Sequence, residues 1–305
     1  QWQGSDYIAA LEAAGRAAFP QFMREIEGIA DGAGVPFEQI FLWNCRGDVP
    51  GGGDNQEEPE AAGCTTFLIP GDPGVIGHNE DGEPEEDGEC FLVTLTPDDG
   101  PALTSFYIPG LLPGHSFGCN HAGLVQAINH IRPFDQRPGV PRHIVARAVL
   151  GSTSLDDALD ILRREDRASG FHHNLGFAGD KRLYSVEAPA SGCDILEVEG
   201  PHCHANHLIR EAFSAIPQDM APSSTTRQIC GDELLKLSPL PDATELLGNT
   251  TTAPLPIYRK SPTGEDPNFT LATGIFRIHP DALDWQVFHR LKDDPVYQGR
   301  IETKS

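Results

Sequence analysis

The stretch Gly63-Cys64-Thr65-Thr66-Phe67-Leu68-Ile69-Pro70 decides how this chain is read. A strong nucleophile stands between a Gly/Glu-rich segment and a run of β-branched and aromatic residues that predicts a strand over 65–69. Cysteine is the most nucleophilic ordinary side chain at neutral pH. Glycine before it leaves the preceding peptide sterically open. Such a thiol can attack the carbonyl of Gly63, cut its own chain and leave Cys64 as a new N-terminus. The released α-amine, with a reference pKa of about 7.7–8.0, would then lie beside the thiol as a base. The same tetrapeptide also fits a buried packing cysteine, so the rest of the chain has to decide.

The 305 residues carry a net charge of −23, with 39 % hydrophobic and 22 % charged residues, the composition of a globular chain. This charge argues against nucleic acid and against anionic membrane surfaces as partners, and it permits a cationic or neutral substrate. No segment approaches the roughly 18 apolar residues of a membrane span, and the first residues show no basic and apolar leader pattern. Seven cysteines, an odd number without CxxC spacing, read as reduced thiols, so a cytoplasmic location is expected.

Apolar spacing predicts a helix over 6–30, capped by Ser5 or Asp6 and interrupted at Pro20. Residues 49–63, with Gly51-Gly52-Gly53 and four acids from Asp54 to Glu60, form the segment least able to bury a core. Beyond Cys64, short β-type runs are predicted at 65–69, 74–78, 91–96, 104–108, 123–129, 183–188, 194–199, 272–279 and 283–289. Helices are predicted over 141–150, from Ser154 (a cap paired with Asp157), after His207, and over 224–237. Strands with a few helices and no βα alternation give an α+β class.

Three constellations carry chemistry. Gly77-His78-Asn79-Glu80-Asp81-Gly82 reads either as a turn or as a carboxylate set that orients a thiol or amine. Residues 80–89 hold seven acids in ten, a solvated loop or an acidic mouth for a cationic substrate. His202-Cys203-His204-Ala205-Asn206-His207, with His172-His173, has zinc-ligand residue types, while the Asn206 amide suits an oxyanion donor. Walker, GxGxxG and HExxH motifs are absent from the sequence.

Taken in order, five pieces resemble the isopenicillin-N acyltransferase family of N-terminal-nucleophile (Ntn) hydrolases, which includes β-alanyl-dopamine hydrolases. They are Asn44-Cys45-Arg46-Gly47-Asp48, Gly63-Cys64-Thr65-Thr66, Gly77-His78-Asn79-Glu80-Asp81, Gly118-Cys119-Asn120 through Asn129, and Ala205-Asn206-His207-Leu208. Cys64 lies 17 residues before Asp81 and 142 before Asn206, close to the family spacing. The sequence departs from the family at His78, where the family has Gln, and at Glu80, where it has Trp; Asp48 stands in place of Glu.

The resemblance implies a four-layer αββα sandwich over a single domain, 1–305, self-cleaved at Gly63–Cys64 into an α subunit (1–63) and a β subunit (64–305). It implies Cys64 as nucleophile, its α-amine as base, Asp81 as the group that positions the amine, and Asn206 as oxyanion donor. Thr65, His78, Glu80 and Asn120 are expected to contact substrate, and Arg46 to support maturation, with no metal and no cofactor. The reaction expected is hydrolysis of a linear amide through a thioester. Acyl transfer from acyl-CoA or an amide donor to an amine is the alternative, and the acidic chain should repel the phosphates of acyl-CoA. A zinc hydrolase and a binding protein with an inert Cys64 are the readings from other classes.

Overall fold

The structure is a computed structural model that describes residues 3–50, 63–262 and 267–303. The loop expected over 49–63 falls mostly outside these residues, as do the acids of 54–60.

Three helices come first: α1 (Asp6–Ala18), α2 (Pro20–Ala33) and α3 (Phe37–Asn44). The Ser5 hydroxyl caps α1, and Pro20 opens α2 as its first residue, where a missing N–H costs nothing. The apolar residues Ile40–Trp43 lie within α3. The chain then lays down β1 (Thr65–Ile69), β2 (Gly74–Gly82), β3 (Phe91–Leu95), β4 (Leu103–Tyr107), β5 (Phe117–Asn120) and β6 (Leu124–His130). Two helices follow, α4 (Arg142–Leu150) and α5 (Leu155–Leu162), the second capped by Ser154 on the Asp157 N–H. Next come β7 (Phe171–Phe177), β8 (Leu183–Glu187), β9 (Asp194–Glu197) and β10 (His202–His204). Helices α6 (Pro222–Leu234) and α7 (Ala243–Leu247) precede β11 (Phe269–Ile278), β12 (Ala282–Phe288) and β13 (Tyr297–Glu302).

Among the described residues these strands form two antiparallel sheets, ordered β10-β1-β2-β11-β12-β13 and β3-β4-β5-β6-β7-β8-β9. Four layers result. Helices α1–α5 cover the outer face of the seven-stranded sheet through a core that includes Leu11, Met23, Ile144, Leu159 and Leu175. Leu68, Ile76, Phe117, Val125 and Phe276 fill the space between the sheets. Phe67, Ile275, Leu246 and Leu247 join the six-stranded sheet to α6 and α7. The fold is thus the αββα sandwich that the resemblance implied.

Two expectations change. The helix predicted after His207 is a single 3-10 turn at Glu211–Phe213. Its stretch is closed by Pro217 and buries only Leu208 and Phe213, with Ile216 partly covered, against Ile131. The Gly77–Gly82 motif is no turn: it is the second half of the nine-residue strand β2, paired on one side with β1 and on the other with β11.

Candidate active site

Strand alternation divides the site between two faces of one sheet. In β1, Thr66 and Leu68 point between the sheets, while Thr65 and Phe67 point toward α6 and α7. In β2, His78 and Glu80 share the first face, and Asn79 and Asp81 the second. Thr65 pairs with Asn79. Continuing that register sets Cys64 opposite Glu80, with both side chains on the inter-sheet face.

Cys64 is buried, and its thiol donates to Glu80 Oε2 at 3.3 Å. The same oxygen accepts from Ser116 Oγ at 2.5 Å and lies 3.1 Å from His78 Nε2. Burial first, then the Glu80 and Asp81 carboxylates, push the thiol well above the usual cysteine range. Burial also acts to raise the Glu80 pKa, but the bonds from His78 and Ser116 outweigh it and bring Glu80 below the ordinary carboxylate value. A protonated thiol therefore faces a carboxylate. One donor atom each from Cys64, His78 and Glu80 lie within 4.8 Å of one another, which meets the minimum for a metal site. Hydrogen bonding already accounts for the cluster, since Glu80 Oε2 is the shared partner of three groups.

On the opposite face, Asp81 is buried between cations. Its Oδ1 accepts from Thr270 Oγ1 at 2.7 Å, and Arg259 Nη1 stands 3.7 Å from Oδ2. A register shift in β11 between Thr270 and Ala272, opposite Asp81 and Glu80, aims Thr270 at this carboxylate. Oδ2 itself is buried without a hydrogen-bond donor among the described residues. Burial dominates and raises the Asp81 pKa, against the fields of Arg259 and Arg227.

Arg227 of α6 joins the pieces. Its Nη1 donates to the Cys64 carbonyl at 2.6 Å and to Thr65 Oγ1 at 2.9 Å, and its Nη2 donates to Asn206 Oδ1 at 2.8 Å. Because Oδ1 is held this way, the Asn206 amide orientation is fixed; Nδ2 gives one hydrogen to the His130 carbonyl at 3.0 Å and carries a second. Gly63 lies in the crook of these groups. A Cβ there would collide with the Arg227 guanidinium and the Asn206 amide oxygen, so the residue before the nucleophile has to be glycine.

The structure thus brings Gly63, Cys64, His78, Glu80, Asp81 and Asn206 together. Thr65 faces α6 and serves Arg227. Asn120, expected as a substrate contact, instead ties β5 to the end of α4: its Nδ2 donates to Leu150 and Ser152 carbonyls, and its Oδ1 accepts from the N–H groups of residues 122–124. Arg46 stacks on Trp43 at 4.6 Å, and its carbonyl accepts from Arg142 Nε at 3.0 Å. The zinc-like residues of 202–207 do not converge on a common point among the described residues. His204 pairs with Glu187 at 3.0 Å and stacks on His172, while His202 meets Ser185.

Arg227, Arg259, Ser116 and Thr270 are absent from the sequence-derived set. The available signal for Arg227 was a predicted helix with no apolar stripe: α6 buries Ser223, Ser224, Arg227 and Gln228, a polar inward face.

The fold and this site define an Ntn-type hydrolase or acyltransferase. The chain belongs to the acyl-coenzyme A:6-aminopenicillanic acid acyl-transferase family, whose description matches residues 69–290. It is 31 % identical over 289 residues to the β-alanyl-dopamine/carcinine hydrolase of Drosophila melanogaster, covering 86 % of this chain and 74 % of that one. It is 27 % identical over 223 residues to the 40 kDa form of the acyl-coenzyme A:6-aminopenicillanic-acid acyltransferase of Emericella nidulans, covering 71 % and 60 %. Penicillin V acylase from Agrobacterium tumefaciens superposes with a TM-score of 0.44 at 13 % identity, over 73 % of this chain and 82 % of that one. No helix among the described residues is long and apolar enough to cross a membrane.

Proposed function

We propose that the chain cuts itself between Gly63 and Cys64 and then hydrolyses a linear amide through a thioester on Cys64. The observation that carries this reading is the buried Gly63-Cys64 step held against Asn206 and Arg227. After the cut, the Cys64 α-amine takes the thiol proton. Asp81 Oδ2, buried and without a donor among the described residues, is suited to receive a hydrogen bond from that amine. The second Asn206 Nδ2 hydrogen supplies the oxyanion contact as the tetrahedral intermediate forms. Water then releases the acyl group and restores the thiol. The 1–63 and 64–305 pieces stay together, because α1–α3 remain packed in the core they share with α4 and α5.

Hydrolysis is favoured over acyl transfer by the −23 charge, which repels the phosphates of acyl-CoA, and by the hydrolase named at 31 % identity. The substrate class that fits is an aminoacyl amide with a free amine. Glu80 keeps 11 % of its side chain exposed beside the nucleophile, where a substrate ammonium can meet it. The test compares kcat/KM for one amide bearing a free amine with its N-acetylated analogue at fixed pH, and for acyl-CoA with an acceptor amine. The free amine should be cleaved faster, with the gap shrinking as salt is raised, because a Debye length of about 8–10 Å screens exposed charge. Equal rates would remove the charge preference, and faster turnover of acyl-CoA would make transfer the leading reaction.

A further inference from the structure

In the uncut chain the nitrogen of Cys64 is an amide and cannot act as a base. The thiol is buried and protonated, so the first cut requires a proton acceptor from elsewhere. Glu80 Oε2 is the acceptor that the thiol meets, at 3.3 Å. The inference rests on the self-cleavage proposed above, and it concerns the one step that the α-amine cannot serve. We propose that Glu80, backed by His78, is the base that takes the Cys64 thiol proton during self-cleavage.

Hydrogen-bond accounting supports this assignment. Asn129 Nδ2 donates to the His204 carbonyl, which fixes Oδ1 as an acceptor. Thr66 Oγ1 spends its single hydrogen on that Oδ1 at 2.8 Å. At 2.7 Å from Thr66 Oγ1, His78 Nδ1 must therefore be the donor and carry a hydrogen. His78 Nε2 is left facing Glu80 Oε2 at 3.1 Å. In the reactive form Glu80 is a carboxylate that accepts from His78 Nε2–H, while Nδ1–H donates to Thr66. The thiol hydrogen moves to the Glu80 carboxylate, and the pair as a whole gains one proton. His78 acts through Glu80 and is a positioning residue, whereas Glu80 touches the reacting sulfur.

The step balances without any further reactant. The thiolate attacks the Gly63 carbonyl carbon, forming the S–C bond. The Gly63–Cys64 C–N bond then breaks, and the proton held by Glu80 passes to the leaving nitrogen, giving the α-amine and a Gly63 thioester. One water hydrolyses the thioester, releasing the Gly63 carboxylate and returning the thiol. The titratable groups whose fields meet Glu80 are Cys64, His78, Asp81, Glu86, Cys90 and His115. A pH profile therefore reports Glu80 in that setting.

The experiment follows self-cleavage of the full chain by intact mass after cell-free synthesis, with no substrate present, over a range of pH. Wild type should be cut at 63/64 with a rate that rises as Glu80 loses its proton. Glu80→Gln should slow the cut by about 10²-fold or more, the usual worth of a general base, and the remaining rate should climb toward high pH with direct ionisation of the thiol. Ser116→Ala removes a donor to the Glu80 carboxylate, so it should raise the Glu80 pKa and move the rising limb up by about one pH unit. A merely structural role for Ser116 would not move that limb. If Glu80→Gln fails to fold, judged by near-UV circular dichroism, the Ser116→Ala profile decides. A wild-type rate and profile in folded Glu80→Gln, or an unmoved limb in Ser116→Ala, overturns the proposal while leaving self-cleavage intact. An uncut wild-type chain sinks both. Cleavage abolished by EDTA and restored by zinc would give the cluster to a metal and overturn the assignment as well.

Discussion

Asn206 is held at both ends of its amide, Oδ1 by Arg227 and Nδ2 by the His130 carbonyl. A side chain fixed in this way loses little freedom when it meets a developing oxyanion, which is why such donors are worth about 2.7–4 kcal/mol in the transition state. Asn206→Ala should therefore fold, since it deletes a small amide at the rim of the core, and should lose about 10²–10³ in kcat with KM little changed. Steady-state kinetics on the processed protein check this, and near-normal kcat would remove Asn206 from the reaction. Cys64→Ala should give neither processing nor turnover; a cut at 63/64 in that variant would assign the cleavage to another protease. These residues were visible in the sequence because their chemistry is local: a glycine before a cysteine, an asparagine among histidines.

At the scale of elements, what the sequence carried depended on how each strand shows its polarity. β1 reads as a strand because Thr65, Thr66, Phe67, Leu68 and Ile69 are β-branched, aromatic or aliphatic, and the structure keeps those bounds. The second half of β2 was harder to place. His78, Asn79, Glu80 and Asp81 are turn-like residues, yet each is buried, because each finds a polar partner across a sheet or from a helix. β7 was missed for the same reason: His172, His173 and Asn174 are buried polar residues that local pattern cannot tell from a loop. Arg227 is the clearest case, since nothing in its own helix shows that one guanidinium will reach Cys64, Thr65 and Asn206. The consequence can be tested. Arg227→Lys keeps the charge but loses the planar fork, so it should impair both processing and kcat far more than a conservative exchange on an exposed helix face. Arg227→Ala, which strands buried partners, should cost about 3–5 kcal/mol of stability. Urea midpoints and intact mass on the two variants read these effects separately, and a fully processed, fully active Arg227→Lys protein would show that the fork is dispensable.

Over the whole molecule, the polar interior sets a pH limit on stability. Seven histidines, His115, His130, His143, His172, His173, His202 and His207, are driven below their ordinary pKa, burial being the largest cause in each. His115 and His207 fall to about 4, and His173 and His202 to about 3. The unfolded chain takes up protons near pH 6.5 that the folded chain refuses, so the unfolded state binds more protons and stability falls as pH drops below about 6.5. Each refusing histidine costs about 1.4 kcal/mol per pH unit until its folded pKa is reached. Asp48 has the opposite sign. Burial raises it to about 7, against the pull of Arg142, so the folded chain binds its proton first and that one group gains stability as pH falls from about 7 toward 4. One carboxylate cannot offset several histidines. In the Cys64→Ala chain, which stays in one piece if the processing proposal holds, the urea midpoint should fall steadily from pH 7 to pH 5, by several kcal/mol in ΔG, a large part of the roughly 5–15 kcal/mol available to a domain. Asp48→Asn should make the slope steeper by about 1.4 kcal/mol per pH unit over the upper part of that range, because it removes the opposing group. A flat midpoint across this window would mean that the buried histidines take up protons without unfolding the chain, and a rising one would mean that Asp48 and the other buried carboxylates dominate.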